Sequence, residues 1–254
     1  MRIEDEALLL RRIPFRDASW VVVLLTRRNG TLTAAARDAR RGRDEARAAL
    51  SGFHSLRIDL RARGVQAMAN LHRVEITRAR HRLPFLPVAS AAAQLLGEAV
   101  YRHVPPGDGR QEEVHGVLEG ALDALDAGGE PLPVTAVALG RLAWRFGYGW
   151  RVDACAGCGG GEGQAMHFSL ARGLAVCAGC AAPHARRPGV LPENVRRAMA
   201  VVEWPAAVER LPAGDIEWFY RMLVARLTVI GGRPLAADRV FRRLAGVMHG
   251  RSAT

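Results

Sequence analysis

Two cysteine pairs constrain this chain more than any other feature of it. Cys155-Ala-Gly-Cys158 and Cys177-Ala-Gly-Cys180 stand 18 residues apart, and each short, glycine-containing spacer lets two thiolates turn onto one ion. Four soft ligands in that pattern describe a tetrahedral Zn2+ site of structural type, with no coordination position left for a substrate. A redox dithiol or an iron–sulfur cluster is the alternative chemistry. A redox C-x-x-C usually comes once, whereas two matching knuckles argue for a metal. His167 and His184 flank the cluster; with four thiolates present, both are expected on the surface or behind the ligands. The run Gly159-Gly160-Gly161-Glu162-Gly163 lacks the lysine and preceding strand of a phosphate loop and reads as a knuckle tip.

The rest of the chain is large enough to bury a sizeable core. Its 254 residues, 49% of them hydrophobic, exceed one typical domain and rule out disorder as the default state. All 36 basic residues are arginine and there is no lysine. That absence removes P-loop nucleotide hydrolases, pyridoxal enzymes and nucleotidyl ligases, each of which needs a lysyl amine. No window reaches the roughly 18 apolar residues of a membrane span, and the start carries Glu4-Asp5-Glu6 instead of a basic leader. A soluble chain of the cytoplasm, nucleoid-associated if it binds DNA, is the expectation. The paired cysteines fit a reducing compartment.

Charge is concentrated at one end. Residues 1–82 hold 18 Arg against 9 acids, while residues 83–254 hold 18 against 16. Such asymmetry points to an N-terminal module facing a polyanion. That module reads as strands: Leu8-Leu9-Leu10, Trp20 to Leu25, Leu56-Arg57-Ile58-Asp59-Leu60, and Val74 with Ile76 fit period two or buried runs. Asn29-Gly30 is expected to be a two-residue hairpin turn. Four or five short strands in about 80 residues suit a small barrel. Arg27, Arg28, Arg37, Arg40, Arg41 and Arg43 cluster around the hairpin and the loop after it as candidate phosphate contacts, although a solvated charged face is the plainer reading. Phe15, Trp20 and Phe53 can either stack on bases or fill the core. Glu4-Asp5-Glu6 reads as an exposed acidic start, and no Ser-His or His-metal motif suggests catalysis.

Beyond Leu83-Pro84-Phe85-Leu86-Pro87 the pattern becomes helical. The clearest stripe is Ile216, Phe219, Tyr220, Leu223, Leu227 and Ile230, one amphipathic helix from about Gly214 to Ile230, stopped by Gly231-Gly232 and followed by a short final helix. The stripe leaves Arg221 and Arg226 at its margins, an apolar edge beside cations that suits an acidic peptide ending in a hydrophobic residue. The fold expected is α+β and multidomain: a barrel over 1–80, a first helical part over 81–150, a four-cysteine zinc module inserted over 151–185, and a second helical part over 186–254.

Several segments in this order resemble the RecO family of bacterial DNA repair and recombination mediators. They are Val23-Leu24-Leu25-Thr26-Arg-Arg-Asn-Gly30, Ala-Ala-Ala-Arg37-Asp-Ala-Arg40-Arg41, Leu50-Ser-Gly-Phe53, Phe146-Gly147-Tyr148 ahead of Cys155, and Gly173-Leu174 ahead of Cys177. The resemblance implies an N-terminal OB-fold, a helical domain and a zinc module. It also implies binding of single- and double-stranded DNA, annealing of complementary strands, and loading of the recombinase RecA together with RecR and the C-terminal tail of the single-strand DNA-binding protein. Arg16-Asp17 stands where the family commonly has Gly-Glu, and Asp38 where it commonly has Gly. A non-catalytic mediator of this kind is therefore the leading expectation. A zinc-ribbon transcription regulator reading duplex DNA is the second, and a metal-dependent nuclease the third.

Overall fold

The computed structural model describes residues 2–15, 19–37, 44–61, 68–104, 111–160, 165–181 and 189–246. Five strands open the chain: β1 (Arg2–Phe15), β2 (Ser19–Thr26), β3 (Gly30–Ala36), β4 (Ser55–Arg61) and β5 (Ala69–Arg78), with the short helix α1 (Asp44–Ala49) between β3 and β4. They close into a barrel of order β1-β2-β3-β5-β4. Every neighbour is antiparallel except β3 and β5, which meet in parallel at Ala34 and Ala69. This is the order of an OB-fold.

The period-two alternation explains the barrel's interior. In β4, Leu56, Ile58 and Leu60 point inward while Arg57 and Arg61 are exposed, because successive side chains leave a strand on opposite faces. Val22 and Leu24 of β2, Ala34 and Ala36 of β3, and Ala7 of β1 complete the core, with Leu50 after α1 also buried in it. β1 is longer than its sequence suggests, since a register shift between Leu9 and Arg11 lets its first half pair with β4 and its second with β2. The β2–β3 hairpin also departs from expectation. Thr26 pairs with Gly30, so the loop holds three residues, Arg27, Arg28 and Asn29, and Gly30 takes the left-handed conformation at φ 73° that such loops require.

Helices follow: α2 (Pro87–His103), α3 (Gln111–Asp126) and α4 (Pro131–Arg145), then the hairpin of β6 (Met166–Ser169) and β7 (Leu174–Cys177), then α5 (Glu193–Ala200), α6 (Trp204–Glu209), α7 (Ala213–Gly231) and α8 (Ala236–Ala245). α7 ends where the stripe ended, with Gly232 in the left-handed conformation at φ 73°. Among the described residues the chain forms two compact units. One takes the barrel, α2 and α3 up to Pro131, together with α8; the other takes Leu132–Leu235.

In the first unit, α2 packs on β1 and on α8. Arg80, only 1% exposed, ties the end of β5 to α3: its guanidinium donates to Asp123, to the carbonyls of Phe53 and Glu119, and to Ser55. In the second unit an aromatic cluster forms the core. Trp150 stands edge-on to Trp204 at 4.9 Å and to Phe219 at 5.7 Å, and its indole N–H donates to the Met199 carbonyl at 3.0 Å. Gly140 of α4 makes room for Trp204, since a Cβ there would stand 2.5 Å from the indole.

Candidate metal centre and nucleic-acid interface

The four cysteine sulfurs lie within 4.8 Å of one another, which is the convergence the spacing foretold. Cys155 and Cys177 are buried, Cys158 and Cys180 exposed, and none is in a disulfide. Cys177 ends β7, where it pairs with the buried Met166. The first knuckle is shaped by its backbone: the Cys155 amide donates to the Gly160 carbonyl at 2.7 Å, and the Gly159 amide to the Cys155 carbonyl at 2.9 Å. The two spacer glycines are not equivalent. A Cβ on Gly157 would stand 2.8 Å from Cys180 Cβ and 2.9 Å from its sulfur, whereas one on Gly179 would meet open space.

The electrostatics suit a bound cation. Backbone amides of Cys177, Cys158 and Gly157 donate to Cys155 Sγ and lower its thiol pKa to about 6, with the Cys177 amide at 3.2 Å and the Gly157 amide at 3.4 Å. Cys180 moves the other way, to about 12, because its proton is shared with the sulfurs of Cys177, Cys158 and Cys155. Four thiolates this close repel one another unless a cation stands among them, and metal binding displaces their protons. An all-sulfur donor set fits Zn2+. His167, in β6 opposite Val176, is not part of the cluster. His184 and residues 161–164 of the knuckle tip lie outside the described residues.

Arg226 corrects an expectation. It lies on the buried side of α7, 4% exposed, and not at an open margin. Its guanidinium donates to the carbonyls of Tyr148 and Gly149, both at 3.1 Å, and of Leu170, and it stands over the Phe168 ring. No backbone amide could serve three carbonyls at once. Gly173 completes the fit, because a Cβ there would stand 2.5 Å from Arg226 Nη2. Burial pulls the arginine's pKa down. Arg226 therefore fastens the segments flanking the knuckle hairpin to α7. Arg221 is half-exposed and pairs with Glu217 at 3.5 Å.

The candidate phosphate contacts divide into two groups by their ion pairing. At the β2–β3 hairpin, Arg27 pairs with Glu6 and with Glu112 of α3, each at 3.0 Å, and these carboxylates raise its pKa. Arg28 pairs with Asp5 at 3.4 Å. Asp5 is not part of an exposed acidic start: it is 4% exposed and accepts from the Glu6 amide, the Arg28 amide and side chain, and Asn29 Nδ2. A buried carboxylate thus fixes the hairpin loop and offsets its charge. A cleft of about 470 Å³ beside this hairpin is lined by acids and arginines alike, among them Glu4, Glu6, Arg28, Arg57 and Glu112.

A second set of arginines is different. Arg37 follows β3 and reaches Asn70 Oδ1 at 3.2 Å, Arg47 is exposed on α1, and Arg61 is exposed at the end of β4. Arg12 donates to the Leu50 carbonyl and Ser51 Oγ while its guanidinium covers Trp20 at 5.0 Å. Arg11 stands over Tyr101 of α2 at 5.6 Å. Among the described residues none of these five is within ion-pair distance of a carboxylate. Arg40, Arg41 and Arg43 lie outside the described residues. Trp20 packs against the barrel core, Phe53 is half-buried, and Phe15 is 37% exposed. Arg11, Arg12, Arg47 and Arg61 were not singled out by sequence, because nothing in their spacing tells an arginine with a carboxylate beside it from one without.

A closed OB-type barrel, a helical region and a four-thiolate knuckle together define a barrel-and-helix protein that carries a candidate metal centre. A family model described as "Recombination protein O N terminal" matches residues 1–80, and one described as "Recombination protein O C terminal" matches residues 87–235. Curated relatives named DNA repair protein RecO agree with this. That of Anaeromyxobacter sp. (strain K) is 35% identical over 222 residues, 85% of this chain and 81% of its own length. That of Anaeromyxobacter sp. (strain Fw109-5) is 34% identical over 250 residues, 94% of each, and that of Myxococcus xanthus 33% identical over 188 residues, 70% of this chain and 72% of its own. The chain belongs to the RecO family of DNA repair proteins. Among the described residues no helix is long and apolar enough to cross a membrane.

Proposed function

We propose that this protein is a non-catalytic recombination mediator that holds DNA by its phosphates at the barrel arginines that have no carboxylate partner among the described residues. The observation that carries the reading is the division of arginines: Arg27 and Arg28 are offset by Glu6, Glu112 and Asp5, while Arg11, Arg12, Arg37, Arg47 and Arg61 face no carboxylate among the described residues. An unpaired guanidinium gains more from a phosphate than one that must first leave an ion pair. Arg40, Arg41 and Arg43, which follow Arg37 in sequence, belong to the same proposed set of phosphate contacts. Phosphate contacts carry no base identity, so single and double strands of any sequence bind. Neutralising two complementary strands on one surface lowers their mutual repulsion and favours annealing, with no proton transfer by the protein.

In this reading Cys155, Cys158, Cys177 and Cys180 hold one Zn2+, which cross-links the knuckle. Arg226 transmits that rigidity to α7. RecR, RecA and the tail of the single-strand DNA-binding protein are the partners the family resemblance implies, with half-exposed Arg221 as a tail contact and Arg226 excluded from that role by its burial. The site of action is the nucleoid.

The test is fluorescence anisotropy with labelled single strands of unrelated sequence, followed by strand annealing with and without the single-strand DNA-binding protein. Affinities within a few-fold of one another, falling steeply with salt, and faster annealing are the expected results. Strong preference for one duplex sequence, or magnesium-dependent cleavage, contradicts the reading.

A further inference from the structure

α8 carries two exposed arginines that no carboxylate of the described residues engages. It lies at 236–245, beyond the residues that either family model matches, yet it belongs to the same compact unit as the barrel. Its docking is firm: Phe241 is fully buried, and the Glu98 carboxylate of α2 accepts the amides of Ala236 at 3.0 Å and Ala237 at 2.8 Å. Asp238 is engaged with Arg242 at 3.0 Å. That leaves Arg239 and Arg243 exposed, one turn apart on the same face, about 6 Å along the axis. Neither has a carboxylate within ion-pair distance among the described residues.

Arg243, in the last turn, complements the helix dipole. Arg239 opposes it, since a cation in the first turn meets the partial positive charge of the N-terminus. Asp238 beside it is taken by Arg242 and Glu98 by the helix amides, so no ion pair among the described residues holds Arg239 to the protein. The helix is tied to the barrel through α2, whose Tyr101 lies under Arg11 of β1 and whose Glu98 caps α8. The unpaired cations of α8 therefore sit on the same body as the unpaired cations of the barrel.

We propose that the Arg239/Arg243 face of α8 is a second nucleic-acid backbone surface, working with the barrel arginines of the same unit. The inference rests on the DNA-binding reading above. A polyanion with repeated single charges fits two unpaired guanidinium groups one turn apart. The exposed neighbours Val240 and Leu244 supply an apolar strip that can lie against sugar and base faces.

The test uses the full-length, zinc-loaded chain and a fluorescein-labelled oligo(dT) strand read by anisotropy across a salt series. The R239Q/R243Q variant is expected to bind several-fold more weakly at low salt, with the salt slope reduced by about 1.4, since each lost single-strand phosphate contact is worth about 0.7. R239E/R243E is expected to bind more weakly still, and both to keep the wild-type melting curve. Wild-type affinity and slope in both variants, alongside weakened binding by R37A/R47A, overturn this inference and leave the barrel reading standing. A wild-type chain that does not bind the strand overturns both. Variants that keep DNA affinity but lose binding to polyglutamate would assign the face to an acidic protein and overturn it as well.

Discussion

Arg80 closes on Asp123 with Nη2 2.6 Å and Nε 2.9 Å from one carboxylate oxygen, and in doing so a buried side chain at the end of β5 bolts α3 to the barrel. The same guanidinium satisfies the Phe53 carbonyl at 2.7 Å and Ser55 Oγ at 3.2 Å. Removing it leaves buried acceptors unpaired and Asp123 with Arg78 alone. Arg80→Ala is expected to destabilise the first unit by about 1–3 kcal/mol, the usual cost of leaving buried acceptors unpaired. Arg80→Lys should recover only part of that loss, because an ammonium cannot reproduce the fork. Urea unfolding monitored in that unit reads the effect, and a loss below about 1 kcal/mol in the alanine variant would show the pair to be incidental.

Three histidines of the same unit make its stability depend on pH. Burial lowers the pKa of His54, His103 and His115, with His81 and Arg80 adding to the effect at His54, Arg102 at His103 and Arg27 at His115. Nearby acids oppose it at His54 and His115. Each is held neutral in the fold at a pH where the unfolded chain, titrating near 6.5, takes up a proton. Stability is therefore complete above about pH 6.5 and falls as pH drops below it, until each folded-state pKa is passed. The urea midpoint of the first unit should be lower at about pH 5.5 than at about pH 7.5. His115→Gln should flatten that difference; a midpoint that rises on acidification would contradict this linkage.

The two spacer glycines of the knuckle should respond differently to alanine. Gly157→Ala drives a methyl into Cys180 and is expected to lower bound zinc per chain and expose the thiols to a disulfide-exchange reagent. Gly179→Ala meets no atom within 4 Å and should keep full metal content. Elemental analysis of the purified variants decides, and equal zinc in both would show that the Gly157 contact is relieved by a small shift.

Glu112 of α3 shares Arg27 with Glu6, so it competes with any phosphate for that guanidinium. Glu112→Gln is expected to strengthen single-strand binding by about two- to threefold at low salt, the size of one exposed ion pair. The gain should vanish at high salt, where such pairs are screened. Anisotropy titrations at two salt concentrations check this, and weaker binding by the variant would mean that Glu112 holds the DNA surface in shape.

Much of this was legible in the residues. Leu56, Ile58 and Leu60 alternate cleanly and became β4; Ile216, Phe219, Tyr220, Leu223 and Leu227 repeat at helical spacing and became the buried side of α7. The four cysteines carried their own geometry. What stayed hidden depended on partners far along the chain. Asp5 meets a loop 23 or 24 residues away, and nothing in Glu4-Asp5-Glu6 tells the buried acid from its exposed neighbours. Arg226 carried a signal that was outweighed by its charge: it stands seven residues after Phe219 and three after Leu223, on the apolar stripe itself. β1 hid its length because the bulge at Leu9 and Arg11 shifts its alternation midway. The hairpin was one residue longer than Asn29-Gly30 suggests, because Thr26 pairs with Gly30 and leaves Arg27 in the loop.

Whether DNA lies on the barrel arginines that lack a carboxylate partner is decided most directly by comparing the salt dependence of single-strand binding in R37A/R47A and R27A/R28A. R37A/R47A is expected to lower the magnitude of the salt slope by about 1.4 and to weaken binding to every sequence, while R27A/R28A leaves the slope within about 0.5 of the wild type. The reverse outcome, an unchanged slope in R37A/R47A and a loss in R27A/R28A, would place the DNA at the ion-paired hairpin and contradict the proposed site.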